Sequence, residues 1–564
     1  MLDSHDNYCH LLSKVRFSIV CLIATRSSLD MASFSVSNLE FDIPFLRTLS
    51  LKPLGNLWSL KPLGHLWSLQ RLSIATFLLI AVCYTVSSYL AWFRLRKFPA
   101  ASWLANFSYL WLAKTTYSGK QYWVHRGLHQ KHKLLRIGPN ELLTDDPDIV
   151  RKISSARSGY NRDSWYITGR FNPYHDNMFT VLQSNAHTKF KSRTLHAYSG
   201  REIPDLEIGV NQQVATLLRV MRDNYARKGR PLDLGQLSCY FTMDVITRLA
   251  FGNEFGYLAT ETDHYSFLKG VRDLWPQMST SADIPWIRNI LFSNAFLRLL
   301  GPTPKDKNGF GALMAVAEHY VGKRFVPGAE QKKDMLGSFI NHKLNQKECE
   351  VEGLFMVVAG TESTASAIRS VLVHTMTTPH VYCKLKDEIR AALDDDRASN
   401  PITVEQAKKL PYLQAVIYEG IRMRPPLLGL LPKVVPAGGD TFYDQHVPAG
   451  TAICMNTSSL LRSKSMFGED ADVFRPERFM ELKDEPRGIM ERNVELAFGY
   501  GQWQCVGKSI AFMELNKSVF ELFRHFDLQL VNPVKPCDVL SYGVFLEHNL
   551  LVKVTESGTT HSAV

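Results

Sequence analysis

Leu72–Phe93, LSIATFLLIAVCYTVSSYLAWF, runs for twenty-two residues without a charge or a histidine. Few features limit a chain so strongly, because about 20 apolar residues in helical form match the thickness of a bilayer core. A buried core helix is the alternative, and the uncharged length weighs against it. Trp92 and Phe93 close the run, and Arg94, Arg96 and Lys97 follow it, so the downstream side is expected to face the cytosol. The run is too long and too late for a cleaved signal peptide. Residues 71–93 are therefore predicted to be a single-pass transmembrane anchor. Ahead of it, SLKPLGNLW (Ser50–Trp58) is followed at once by SLKPLGHLW (Ser59–Trp67), differing only at Asn56 and His65. Two such short copies do not make a solenoid. A local duplication, or a gene-model error with translation starting at Met31 or later, is the plainer reading, and residues 1–70 receive no function.

The chain beyond the anchor has ample length to bury a large core. Nine cysteines are scattered at 9, 21, 83, 239, 349, 383, 454, 505 and 537 with no C-x-x-C pair. That pattern argues against a disulfide scaffold or a structural zinc site and for a reducing compartment. The net charge is +11, and Lys120–Arg201 alone holds fourteen Lys/Arg against six Asp/Glu. Such a face suits anionic lipid or an acidic protein as well as plain solvent. No aromatic-basic motif accompanies it, so nucleic acid is not an expected partner. Leu134–Asn140 reads as a short strand closed by a Gly-Pro turn. Helical spacing of apolar residues marks Phe241–Phe251, Glu352–Thr377, Val381–Leu393, Leu410–Arg424 and Lys508–Phe526. Short strand-like pieces lie at Lys433–Val435, Thr441–Tyr443 and Leu550–Val554. The expected fold is mainly α with small β-sheets. Residues 94–120 would be a membrane-proximal linker, 121–555 one large domain and 556–564 a tail.

Within AFGYGQWQCVGKSIAF (Ala497–Phe512) two chemistries compete. Gly507-Lys508-Ser509 matches the end of a phosphate-binding loop, but the glycine that G-x-x-x-x-G-K-[ST] requires falls on Gln502. The cysteine reading does better. Gly499 and Gly501 permit close backbone approach to a flat ligand. Cys505 precedes a helix starting near Gly507, whose free N–H groups favour a thiolate. One cysteine without neighbouring Cys or His makes no structural zinc site. It can be the single axial ligand of a haem iron, or an inert packing cysteine. The His125-x-x-x-His129 pair lacks the glutamate of a zinc-protease motif, and metal binding there is not expected.

Phe498-Gly-Tyr-Gly-Gln-Trp-Gln-Cys-Val-Gly507 resembles the cysteine loop of the cytochromes P450, F-G-x-G-x-[R/H]-x-C-x-G. The resemblance extends over roughly Gly127–Leu551 and implies that Cys505 ligates haem iron, within a cradle of Phe498, Gly499, Gly501 and Gly507. Trp503 departs from the pattern, standing where the family usually has a basic residue on a haem propionate. Three further stretches agree in order. Glu419-Gly-Ile-Arg422 places an acid and a base on one helix face; in the family this E-x-x-R pair is buried and joined by an arginine, here Arg478 of Pro476-Glu-Arg-Phe479, in a structural role. Ala359-Gly-Thr-Glu-Ser-Thr364 contains residues that compete for helix hydrogen bonds, which predicts a helix opened into a groove. It is similar to the family's acid-alcohol segment, implying that Glu362, Ser363 and Thr364 manage protons, with Ser363 in place of the usual threonine. His187-x-x-x-Lys191 implies a propionate contact beside a reductase-docking face, although Lys191 lacks the bidentate fork of arginine. Lys433 is a weaker propionate candidate.

The flavour of these motifs, with Arg136-Ile-Gly-Pro-Asn-Glu-Leu142, resembles fungal membrane P450s near the pisatin-demethylase-like group. The implied protein is a monooxygenase in the endoplasmic reticulum membrane, facing the cytosol and using haem, O2 and NADPH-derived electrons from a separate flavoprotein reductase. No dinucleotide-binding G-x-G-x-x-G of its own is evident. Its substrate would be a bulky, mostly apolar small molecule of specialised metabolism, lodged among aromatic segments at Tyr160–Thr180, Tyr265–Leu300 and Leu427–Leu431. The rival readings are a same-fold isomerase or dehydratase without O2 activation, against which the Glu362-Ser363 pair argues, and a non-enzymatic haem sensor or adaptor.

Overall fold

Helix α1 (Leu63–Leu95) contains the apolar run, and its Ile74–Leu95 portion has a mean hydropathy of 1.9 and is long and apolar enough to cross a membrane. Phe77, Leu79, Ile80 and Leu90 expose more than half of their surface along it. The computed structural model describes residues 63–128 and 132–558. The extension and repeat as far as residue 62, together with His129 and the tail from residue 559, lie outside the described residues. The chain divides into two units, residues 1–78 and 79–564.

The second unit is organised by helices whose apolar faces meet. Helices α2 (Ser184–Tyr198), α3 (Leu234–Phe251), α4 (Phe267–Ala282), α5 (Gln346–Met376), α6 (Pro411–Met423) and α7 (Lys508–His525) carry the residues of interest. At the start of α5, Asn345 and Glu348 form a reciprocal capping box that satisfies two otherwise orphaned N–H groups. Most of α5 is buried, and α3, α6, α7 and the helix Gly309–Gly322 all pack on it, as befits a helix apolar around much of its circumference. Gly360 lets α3 come close, since a Cβ there would lie 3.0 Å from Ile246 Cγ1. The opening expected at Gly360–Thr364 does not occur. The helix is continuous, with Thr361 Oγ1 donating to Val357 O at 2.7 Å and Ser363 Oγ to Ala359 O at 2.6 Å. These hydroxyls bond back onto the preceding turn instead of breaking it.

Five short strands form the larger sheet: β1 (Leu135–Arg136), β2 (Glu141–Thr144), β3 (Asn161–Arg162), β4 (Lys433–Val434) and β5 (Ala452–Met455), in the order β1-β2-β5-β4-β3. β2 and β5 are parallel and the other pairs antiparallel. Register places Arg162 directly opposite Lys433. A three-stranded sheet joins Leu232–Asp233, Leu551–Glu556 and Phe526–Leu530, and a hairpin pairs Asp538–Ser541 with Phe545–His548. Residues 94–120 were expected to be a linker but hold packed structure. Leu95, Phe98, Ala105 and Leu112 are buried, and a 3₁₀ turn (Trp103–Asn106) and a helix (Leu110–Tyr117) form there. The fully buried guanidinium of Arg136 ties the segment down through the carbonyls of Trp92, Asn106, Gly138 and Pro139.

Candidate active site

Cys505 lies between the 3₁₀ turn Gly501–Trp503 and the start of α7, with Gly507 as the N-cap. Its N–H donates to Phe498 O at 2.7 Å, folding the loop back on itself. Gly499 and Gly501 adopt φ of 75° and 58°, a region costly for other residues. A Cβ at Gly501 would press to 2.4 Å from Ser154 O, and one at Gly499 to 3.0 Å from Trp503 O. These glycines thus permit close approach to neighbouring backbone. A Cβ at Gly507 would sit in ordinary contact with Cys505 Sγ, at 3.8 Å.

The thiol has exposed surface, yet burial is the main influence on its pKa and pushes it up. The N–H groups of Gly507 and Lys508 and the charges of Lys191 and Lys508 pull the other way without winning. A thiolate here needs a cation bound directly to sulfur, which is what a haem iron provides.

A second group of side chains gathers around the Trp503 indole. Arg162 lies 4.6 Å from the Trp503 ring centroid, His187 stacks at 4.5 Å from the same ring, and Lys433 Nζ is 5.5 Å from it. Arg162 donates to the carbonyls of Met178 (2.7 Å) and Phe179 (3.0 Å); Lys433 donates to Tyr166 Oη (2.6 Å) and Leu431 O (3.1 Å). Among the described residues neither forms an ion pair with a carboxylate. Arg162 Nε, His187 Nδ1 and Trp503 Nε1 are buried without hydrogen-bond partners. Burial lowers the Arg162 pKa to about 10 and depresses Lys433 well below the lysine range. Burial, with Arg162, Lys191 and Lys433 nearby, takes His187 to about 2, so its ring is neutral. Two cations placed face to face on adjacent strands repel, and buried donors without acceptors are costly. The cluster fits a ligand bearing carboxylates, as the two propionates of haem are. Lys191 is placed differently: its Nζ donates to Gln502 O (2.9 Å) and Gln504 O (2.8 Å), holding the cysteine loop itself.

Along α5, Phe355, Val358, Ala359, Glu362 and Ser363 are left partly or fully uncovered although the helix is otherwise buried. Their spacing puts them on one face, the strip a ligand would cover. Glu362 at its edge is not free: its carboxylate pairs with Arg369 Nη2 and accepts from Cys239 Sγ at 3.2 Å. Arg369 in turn pairs with the buried Glu547, which also holds Arg424 at 2.6 Å. Thr364 is buried. The Glu419, Arg422 and Arg478 side chains come together as the motif implied. Arg422 Nε and Nη2 donate to the two Glu419 oxygens at 2.7 and 2.8 Å, and Arg478 Nε donates to Oε1 at 3.0 Å. Sequence reasoning missed Arg162, Arg369 and Glu547. The signal for Arg162 was an arginine inside the aromatic segment Tyr160–Thr180, which also holds Arg170; Arg369 and Glu547 have no local signature, being joined only by the fold.

A mainly helical fold with a cysteine at a helix N-terminus and a separate cluster of buried nitrogens without partners is consistent with the haem-thiolate class. The cytochrome P450 family model matches residues 99–555, and the chain belongs to that family, whose members use haem, O2 and reductase-derived electrons. It is 70% identical over 472 residues to cytochrome P450 monooxygenase aba1 of Botryotinia fuckeliana, covering 83% of this chain and 93% of that protein. Cytochrome P450 monooxygenase abl1 of Leptosphaeria maculans is 60% identical over 459 residues, 80% of this chain and 81% of its own length. Cytochrome P450 monooxygenase ABA1 of Pyricularia oryzae is 41% identical over 492 residues, 85% and 96% respectively. The chain is an oxidoreductase of the monooxygenase type.

Proposed function

We propose that this P450 is anchored in the endoplasmic reticulum membrane by α1, faces the cytosol, and oxidises a bulky, mostly apolar small molecule in fungal specialised metabolism. The observation that carries the site assignment is the cluster of Arg162 Nε, His187 Nδ1 and Trp503 Nε1, three buried nitrogens without hydrogen-bond partners, beside Lys433, which bonds only the uncharged Tyr166 Oη and Leu431 O. Cys505 is assigned as the residue that would hold the haem iron through its thiolate, with Phe498, Gly499, Gly501 and Gly507 shaping its loop. Arg162, His187, Trp503 and Lys433 are assigned to the propionate end, and Lys191 to bracing the loop. When bound, haem supplies the activation of O2, using electrons from an NADPH-dependent flavoprotein reductase.

The chain's own groups then do four things. The N–H groups at the start of α7 hold negative charge on Cys505 Sγ. The uncovered strip of α5 presents Ala359 and the Ser363 hydroxyl. Glu362 holds a proton site at its carboxylate, kept in place by Arg369, while Thr364 packs behind. Aromatic side chains pack beside this strip: Phe179 lies 6.2 Å from Trp165 and stacks on Phe355 at 5.8 Å between centroids. Apolar, aromatic surroundings of this kind suit a large apolar substrate. For the membrane, exposed Trp103 and Leu110 near the end of α1 add apolar surface to the anchor.

The test of the thiolate assignment is the absorption of the ferrous protein with carbon monoxide. Wild type, Cys454→Ala and Cys537→Ala should show the red-shifted band of a thiolate-ligated haem, and Cys505→Ala should lose it. Loss of the band in Cys454→Ala or Cys537→Ala with retention in Cys505→Ala would overturn the assignment.

A further inference from the structure

At the far end of α2 from the cysteine loop, three side chains from separate segments converge. His196 lies in the last turn of α2, Glu202 in the connection after it, and His342 caps the helix Met335–Asn341. The ligand-capable atoms of the three all lie within 4.8 Å of one another, the one such group among the described residues. His342 Nε2 is 2.8 Å and His196 Nδ1 3.8 Å from the same oxygen, Glu202 Oε1. The two imidazoles are stacked, with centroids 4.6 Å apart and planes 7° apart.

We infer that His196, Glu202 and His342 form a binding site for a zinc ion. Atoms sharing a tetrahedral zinc at roughly 2.0–2.1 Å stand about 3.3 Å apart, within the range of separations found here; binding one ion requires the two rings to turn out of their parallel stack so that both nitrogens face it. Two neutral imidazoles and one carboxylate are a zinc donor set. The site is prepared beyond its ligands. Ser338, which is buried, donates its Oγ proton to Glu202 Oε2 at 2.6 Å, so that Oε1, now bonded to His342 Nε2 at 2.8 Å, is the oxygen the ion would take. Orienting contacts of this kind hold metal ligands in place. The nearby Arg193 does not compete for Glu202, because its guanidinium is bidentate on Glu348 at 3.1 and 2.9 Å and donates to His342 O and Lys343 O. The ligand side chains retain between 30% and 43% of their exposure, leaving a fourth position to water. The ion clamps α2 to the helix Met335–Asn341. Since α2 also carries His187 and Lys191, zinc stabilises the helix that braces the cysteine loop.

The experiment uses the full-length haem-loaded protein, stripped of metal by chelator and dialysed against Zn2+, with metal per chain measured by mass spectrometry. The wild type should take up one zinc more than His196→Ala/His342→Ala, and Mg2+ should not compete. Glu202→Gln should weaken zinc at least about tenfold, and Ser338→Ala by about tenfold through the lost orienting contact. Zinc should raise the melting temperature of the wild type and not of the double variant. Equal uptake by wild type and double variant overturns the site. If the double variant does not fold, Glu202→Gln decides, and unchanged affinity in it overturns the site equally.

Discussion

Arg162 shows how much a single side chain can carry. The family pattern puts a basic residue at the position of Trp503, and here the charge arrives from β3, laid against the indole at 4.6 Å. The indole N–H is likewise buried without a hydrogen-bond partner. Arg162→Gln should remove one charge-assisted contact, about 1.5 to 3 kcal/mol, and speed transfer of haem to an excess of apomyoglobin by roughly ten- to a hundredfold. The thiolate band should persist, and an unchanged transfer rate would detach Arg162 from the propionates. Ser363 poses a different question. Its hydroxyl proton is committed to Ala359 O at 2.6 Å, and serine lacks the methyl that restricts threonine's χ1. Ser363→Ala should lower product formed per NADPH and raise peroxide, Ser363→Thr should preserve or improve coupling, and Glu362→Gln should slow turnover with the thiolate band intact. Coupling unaltered in both Ser363→Ala and Glu362→Gln would place proton delivery elsewhere.

At the scale of elements, long helices were legible and their surroundings less so. Apolar spacing located α5 to within a few residues at its C-terminal end but missed its first turns, where Gln346–Val351 carries polar residues and the Asn345 capping box does the starting. The expected opening at Gly360 failed because glycine there serves the crossing of α3, a long-range contact that no local pattern reveals. Residues 94–120 looked like a linker for the same reason: Arg136, outside the segment, is what fixes it. One consequence concerns truncation. Trp92 O accepts from the buried Arg136 guanidinium, so removing residues 1–93 should cost about 1.5 to 3 kcal/mol of stability relative to removing 1–89, measured by denaturant unfolding; equal stability would make that contact idle. Both truncations should release most of the protein from membranes with haem retained. Topology has one usable reporter. The sequons at Asn456 and Asn516 are buried and stay unmodified on either side of a membrane, whereas Asn106 is partly exposed. A cytosolic domain predicts no endoglycosidase-sensitive mass at Asn106; a shift there would reverse the orientation.

For the whole molecule, the sequence disclosed which motifs must meet, and the fold discloses what they meet with. Glu419 and Arg422 are three residues apart and legible as a pair, but their burial and their further partners come from chain about fifty residues on. Arg422 Nη1 donates to Leu461 O (2.9 Å) and Ala471 O (2.6 Å), Arg475 N–H donates to Glu419 Oε1 (2.8 Å), and Arg478 bonds Asp470 Oδ1 (2.9 Å) and Val473 O (3.0 Å). The group thus knots α6 to the segment Leu461–Phe479, which precedes the cysteine loop. Buried ion pairs gain little over an apolar core, but breaking one leaves an uncompensated charge and costs about 3 to 5 kcal/mol. Arg478→Ala should therefore destabilise by about that amount, with haem content falling because the loop downstream loses its support. Arg478→Lys keeps the charge but cannot reach the Glu419 and Asp470 carboxylates and the carbonyls of Phe467, Asp470 and Val473 at once, and should fall between. Asp470 adds a pH signature. Burial works to raise its pKa, but hydrogen bonds from Arg475 and Arg478 hold it down at about 2. A depressed carboxylate contributes stability that is present above its unfolded pKa near 4 and lost as pH falls toward 2. In Arg478→Ala that carboxylate loses one of its partners, so part of the stability lost on acidification of the wild type is already missing at neutral pH. The difference in unfolding free energy between wild type and Arg478→Ala should shrink from pH 6 to pH 3. A difference that stayed constant over that range would uncouple Asp470 from the knot and leave Glu419 as the sole anion that Arg478 serves.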